Sequence, residues 1–211
     1  MLEHRVSAII RTQDQQLAAE AMRAAVDGGF RMIEFTLTTP GALELVRQFA
    51  GDDRLVVGAG TVLTRDAARA AVAQGAKFLV SPVFDPAIVE EAARLGVAIM
   101  PGTFTPTEME LAHRAGADFV KLFPAPPGGV EYILAIRAPL PHLRIFPTAG
   151  VSVDNVTDYL DAGCAGAGFV RNLFHPEDMQ RRDFEAIRNR AAVITRRVVT
   201  WKASRFGAPS R

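Results

Sequence analysis

With 211 residues and 49% hydrophobic content the chain can bury one sizeable core, so a single domain over residues 1–211 is expected. A net charge of +1 removes any global pull toward nucleic acid or anionic membrane, and the solitary Cys164 excludes an internal disulfide. No run approaches the roughly 20 apolar residues of a membrane span and Met1 to Val6 lacks a leader's apolar region, so a soluble cytoplasmic protein without membrane or nucleic-acid partners is expected.

Short β-rich runs alternate with Ala-rich amphipathic segments along the chain. Candidate strands are Val6 to Ile10, Met32 to Leu37, Leu55 to Ala59, Phe78 to Val80, Ala98 to Met100, Phe119 to Phe123, Leu143 to Phe146 and Ala165 to Val170. Helix starts are marked by Thr39-Pro40, Asp85-Pro86 and His175-Pro176, each placing proline at a first helical position. Thr105-Pro106-Thr107-Glu108 combines a cap, a proline and a capping-box glutamate. Glycines at 28–29, 51, 75, 96, 116 and 163 mark the ends. Glu177 to Arg205 reads as one long basic helix with Phe184, Ile187, Ala191, Ile194 and Val198 on its apolar face, and the tail from Ser204 to Arg211 as frayed. Its Arg181-Arg182 and Arg196-Arg197 pairs invite a nucleic-acid reading, but balanced charge and a plain apolar stripe favour a solvated helix covering the fold.

Eight strand and helix units predict a parallel sheet, closed as a (β/α)8 TIM barrel so that no edge strand remains. An open doubly wound sheet is the alternative, with Gly58-Ala59-Gly60 as a dinucleotide loop. The next glycine of that motif is replaced by Leu63, which weakens it.

In a barrel the C-terminal strand ends share one mouth. Those ends carry Arg11, Glu34 and Thr36, Thr61, Ser81-Pro82, Pro101-Gly102, Lys121 and Phe123, Thr148, and Phe169 to Arg171. Strand alternation puts Phe119, Lys121 and Phe123 on one face, and Met32, Glu34 and Thr36 on one face, so an acid and an amine look into one cavity. Lys121 lies in the apolar run Ala117 to Pro124, where burial lowers an amine's pKa and makes it a nucleophile. Only Lys77, Lys121 and Lys202 are lysines, so the chain uses lysine where arginine, which stays protonated, could form no imine. An inert Lys121 would snorkel or pair with a carboxylate, and an inert Glu34 would pair with Lys121 or Arg11. A buried amine beside a buried carboxylate is instead what making and breaking an imine requires.

Glu34-Phe35-Thr36-Leu37, Gly58-Ala59-Gly60-Thr61-Val62-Leu63, Ser81-Pro82, Pro101-Gly102, Lys121-Leu122-Phe123-Pro124-Ala125 and Pro147-Thr148-Ala149-Gly150-Val151 resemble, in order, the signature blocks of the class I KDPG/KHG aldolases. Those enzymes cleave 2-keto-3-deoxy-6-phosphogluconate or 4-hydroxy-2-oxoglutarate to pyruvate and an aldehyde. Ile9-Ile10-Arg11 and the stretch Asp161 to Gly168 resemble more closely the branch acting on 2-keto-3-deoxy-6-phosphogalactonate. The resemblance implies a Schiff-base aldolase with Lys121 as the imine lysine and Glu34 as the acid/base. Arg11 and Thr61 would hold the keto-acid carboxylate, Pro82 and Phe123 would wall the pyruvyl group, and Thr148 would lie near the distal hydroxyls. It also implies a homotrimer, a small keto-acid substrate, and neither metal nor separate cofactor beyond the lysine imine. Thr38 stands where many members carry an arginine, leaving the carboxylate to Arg11. Ala149-Gly150 and Val170-Arg171 stand where relatives carry a glycine pair and a Gly-Ser pair that bind phosphate. Arg171 there either grips a phosphate or carboxylate, closes the site to phosphorylated substrates, or sits on the surface. A metal-dependent lyase or phosphate-binding isomerase on the same barrel, and a non-catalytic keto-acid binder, are the other classes in view.

Overall fold

A computed structural model describes residues 2–126 and 128–207. The chain runs β1 (Val6–Ile10), α1 (Gln15–Asp27), β2 (Met32–Thr36), α2 (Ala42–Ala50), β3 (Val56–Gly60), α3 (Arg65–Ala73), β4 (Phe78–Val80), α4 (Pro86–Leu95), β5 (Ala98–Met100), β6 (Gly102–Thr103), α5 (Pro106–Arg114), β7 (Val120–Leu122), α6 (Gly129–Arg137), β8 (Ile145–Pro147), α7 (Val156–Asp161), β9 (Ala167–Phe169), α8 (Pro176–Arg181) and α9 (Phe184–Phe206). All paired strands are parallel, in the orders β5-β4-β3-β2-β1-β9 and β6-β7-β8. The result is an α/β fold with a curled parallel sheet. A parallel bridge between Thr148 and Gly168 links β8 to β9, and the Lys121 amide donates to the Pro101 carbonyl at 2.9 Å on the other side.

The expected eight strands appear as nine segments, because Pro101 interrupts the fifth. A proline has no N–H for the ladder, so β5 and β6 separate there although the chain continues in the same direction. The glycines of Gly58-Ala59-Gly60 lie within β3, which excludes a dinucleotide loop at that position. They face the interior, where a Cβ on Gly58 would come within 2.3 Å of the Phe78 ring and one on Gly60 within 1.9 Å of a Glu34 carboxylate oxygen. Glycine therefore makes room for one large apolar side chain and for the acid.

Two apolar layers follow from strand alternation. Met32, Phe78, Val80, Met100, Phe119 and Phe146 pack inside the curl, whereas Ile33, Phe35, Val57, Leu79, Val120, Leu122 and Ile145 pack outward. Lys121 lies between two outward residues and faces inward, as expected. The Thr105 capping box and the Asp85 cap form as read from sequence. Helix α2 does not start at Thr39-Pro40. It starts after Gly41, which takes the left-handed conformation, while the Thr39 hydroxyl is engaged by the Thr12 amide.

The expected single helix from Glu177 to Arg205 is two helices. Arg182 adopts a left-handed conformation (φ 53°), its guanidinium held by Asp14 and Glu20, and Asp183 caps α9 through the Ala186 amide. Ile187, Ala191, Ile194 and Val198 form the buried stripe, and α9 approaches α1 so closely that a Cβ on Gly28 would meet Ala191 at 2.4 Å. Ser204 to Phe206 are helical rather than frayed, and the rest of the expected frayed tail, from residue 208 onward, lies outside the described residues, as does Met1. Among the described residues no helix is long and apolar enough to cross a membrane.

Candidate active site

A cavity of about 690 Å³ opens at the C-terminal strand ends, and Arg11, Glu34, Thr36, Pro82, Lys121, Phe123, Thr148, Ala149, Gly150 and Arg171 all line it. At its floor, β7 presents Lys121, 8% exposed, and β2 presents Glu34, 2% exposed. The lysine's backbone is fixed on both sides, its amide bonded to Pro101 and its carbonyl accepting from the Thr103 hydroxyl at 3.0 Å. Its ammonium lies 4.8 Å from the centre of the Phe123 ring.

Burial dominates the ionisation of both groups. It pushes the Lys121 amine below its ordinary value, with Glu34 opposing and Arg11 adding to the fall. It pushes the Glu34 carboxyl above its ordinary value, with Lys121 and then Arg11 opposing. Glu91, the other buried carboxylate, is clamped by Arg69 and Arg94, whereas Glu34 has no ion-pair or hydrogen-bond partner among the described residues. Glu34 and Lys121 form no ion pair with each other among the described residues, although Lys121 and Arg11 lie near enough to Glu34 to oppose the rise of its pKa.

Around this pair the other expected residues divide. Arg11 donates to the Thr61 hydroxyl at 3.1 Å, and Thr61 itself is held in a left-handed conformation (φ 60°). Thr61 stays outside the cavity wall and reaches it only through Arg11. Such strain in a residue with a branched side chain is characteristic of sites where position matters more than comfort. Thr148 is 2% exposed and its hydroxyl oxygen, itself buried, has no hydrogen-bond partner among the described residues. Ala149 also takes a left-handed conformation (φ 67°) before Gly150. Ser81 is turned into its own loop, accepting from the Val83 amide, and neither it nor Pro101-Gly102 lines the cavity. Thr36 joins the wall and is tied to Thr38 and Thr39 through hydroxyls at 3.2 and 3.3 Å. Ile9, Val151 and Asn172 line the cavity as well. Ile9 could have been found from strand parity with Arg11; the two loop residues carry no local signal. The two remaining lysines are occupied elsewhere, Lys77 on the Leu55 carbonyl and Lys202 on that of Glu3.

The family profile described as KDPG and KHG aldolase matches residues 1–190. This chain belongs to that aldolase family. Among relatives of the family, the chain is 35% identical over 172 residues to the 2-dehydro-3-deoxy-6-phosphogalactonate aldolase of Escherichia coli K12, covering 79% of this chain and 83% of that one. It is 38% identical over 174 residues to the 2-dehydro-3-deoxy-phosphogluconate aldolase of Treponema pallidum, covering 79% and 82%. A solved KDPG aldolase from Legionella pneumophila, with pyruvate captured at low pH as a covalent carbinolamine intermediate, superposes with a TM-score of 0.82 at 25% identity, covering 90% of this chain and 94% of that one.

Proposed function

We propose that this Schiff-base aldolase cleaves a 2-keto-3-deoxy (phospho)sugar acid or 4-hydroxy-2-oxoglutarate to pyruvate and an aldehyde, with Lys121 as nucleophile and Glu34 as proton carrier. The observation that carries the reading is an unpaired buried acid and a buried amine whose pKa burial lowers, both facing one cavity. Neutral Lys121 attacks the C2 carbonyl carbon and gives a carbinolamine. Protonated Glu34 donates to its hydroxyl, water leaves, and a cationic iminium forms. Ionised Glu34 then takes the proton of the C4 hydroxyl while the C3–C4 bond breaks, its electrons passing into the iminium to leave an enamine. Protonation at C3 and hydrolysis release pyruvate and return Lys121. Arg11, with Thr61 behind it, holds the C1 carboxylate; Pro82 and Phe123 wall the pyruvyl group; Thr148 faces the hydroxyl-bearing carbons; and Ala149, Gly150 and Arg171 border the tail.

We also propose that residues 1–211 form one (β/α)8 barrel with β5 and β6 acting as a single strand, supported by the bonds that join β8 to β9 and β7 to the segment around Pro101. A cytoplasmic homotrimer is part of the same proposal. Phe104, stacked on Tyr132 of α6, stands exposed with Leu111 and Leu134, and such apolar surface is suited to burial between subunits. Light scattering should return three times the 22.8 kDa chain mass.

The catalytic assignment is tested with Lys121→Arg, which keeps a cation but cannot form an imine. Pyruvate release should fall by at least about 10³. Turnover near the wild-type rate would overturn the assignment.

A further inference from the structure

The catalytic cavity lies at the C-terminal strand ends. A second cavity, of about 350 Å³, opens at the opposite end of the sheet, where β1 and β9 begin and the last turns of α9 come to rest. Arg5 stands at its centre. It takes a left-handed conformation (φ 61°) that a residue with a long side chain seldom adopts unless its surroundings hold it there. One terminal nitrogen of the guanidinium donates to the Ala165 carbonyl at 3.1 Å, Nε is enclosed without a partner, and the second terminal nitrogen, which is not enclosed, has none among the described residues. The Trp201 ring centre stands 5.9 Å from the guanidinium carbon. Burial pushes the Arg5 guanidinium below its ordinary value, and no carboxylate opposes the fall. The acid on the same wall is already engaged, because Asp161 accepts from the Trp201 indole at 2.8 Å and pairs with Arg205. A half-buried cation whose partners are all neutral is left uncompensated, and an anion bound beside it supplies the missing charge.

We propose that this cavity is a second binding site, remote from the imine lysine, for a small carboxylate that carries a single negative charge and an apolar body. The carboxylate takes the open side of the Arg5 guanidinium, where a charge-assisted bond replaces contact with water. The apolar body lies against Leu160, Trp201 and Phe206, the two aromatic rings meeting edge to face with centres 5.9 Å apart. Asp161 sets the charge of the ligand. Beside one uncommitted cation its carboxylate repels a dianion, so phosphate and phosphate esters, at about −1.5 to −2, fit poorly. Arg5 and Arg11 flank β1 and are six positions apart, about 20 Å at the rise of a strand, so a ligand here does not reach the catalytic cavity. Arg5 leads into β1, Ala165 precedes β9 and Trp201 belongs to α9, so the ligand joins three elements distant in sequence and binds the folded chain alone.

Trp201 is the only tryptophan of the chain, so its fluorescence reports on this wall. The full chain is titrated at constant ionic strength with benzoate, with its neutral isostere benzamide and with inorganic phosphate. Benzoate should change the emission saturably and raise the Tm as it saturates, with an affinity about 10-fold or more above that of either other probe. Arg5→Met should weaken benzoate by about 10-fold or more, whereas Arg11→Met should leave its binding unchanged. Asp161→Asn keeps the oxygen that accepts from Trp201 but releases Arg205, and should strengthen phosphate binding by about 10-fold or more. That variant decides the matter by itself should Arg5→Met fail to fold. Absence of a saturable benzoate response, an equal response to benzamide, or phosphate binding unchanged by Asp161→Asn overturns the proposal. A benzoate response kept in Arg5→Met and lost in Arg11→Met would put the anion in the catalytic cavity and overturn it as well. The imine assignment stands or falls independently of these results.

Discussion

Burial drives Lys121 and Glu34 toward their neutral forms from opposite directions, and the charges around them decide where each settles. Attack needs the unprotonated amine, so the rate of pyruvate-imine formation rises with pH through the Lys121 pKa. Glu34 raises that pKa and Arg11 lowers it. Glu34→Gln should accordingly move the acid limb of the imine-formation profile to lower pH, and Arg11→Met should move it to higher pH. Shifts in the same direction would contradict the electrostatic account. Glu34→Gln should also lower turnover by roughly 10² to 10⁴, the usual range for loss of a positioned proton donor. A stability consequence follows from the same burial. A lysine whose pKa falls on folding adds stability only above its unfolded value of 10.5 and loses it as pH drops. A glutamate whose pKa rises adds stability below its unfolded value of 4.5 and loses it as pH climbs. At neutral pH both residues therefore weaken the fold. Lys121→Met should raise the Tm at pH 7 by about 2–4 °C for each kcal/mol of relieved desolvation, and calorimetry of the variant against wild type measures it. A lowered Tm would mean that the ammonium is stabilised by a partner.

At the scale of elements, β3 separates packing from chemistry through two glycines two residues apart. Gly58→Ala drives a methyl group into the Phe78 ring, deep in the inner apolar layer, and should cost about 1–3 kcal/mol of stability. Gly60→Ala meets the Glu34 carboxylate, which borders the cavity, and should lower kcat by more than its effect on unfolding accounts for. Urea melts and steady-state kinetics on both variants check the split; equal effects on both quantities in both variants would count against it. Elements were readable in sequence where their cause is local. The Asp85 cap and the Thr105 capping box form within four residues, and the strand parity of Glu34 and Lys121 is a repeat of two. They are not legible where the cause is distant. The break at Arg182 depends on Asp14 and Glu20, more than 160 positions away in sequence, and the late start of α2 on the pairing of Thr39 with Thr12.

For the whole molecule, the curled parallel sheet carries the floor and the Arg11 end of the site, while loops carry its tail end. Arg11, Glu34 and Lys121 could be placed from sequence because the C-terminal ends of parallel strands converge. Val151 and Asn172 could not, since a loop's path is set by tertiary contacts such as the Asn172 bond to Val151 rather than by periodicity. Thr61, expected with Arg11 to hold the keto-acid carboxylate, does not itself line the cavity and accepts a hydrogen bond from Arg11 at 3.1 Å. Everything at this site depends on the substrate being carried as an imine on the lysine at the floor of the cavity. Reduction with borohydride in the presence of pyruvate, followed by digestion and peptide mass mapping, tests it most directly. The account predicts one reduced pyruvyl group per chain on the peptide containing Lys121, with Lys77 and Lys202 unmodified; labelling of either of those lysines instead, or full turnover in an enzyme that traps no pyruvate, would contradict it.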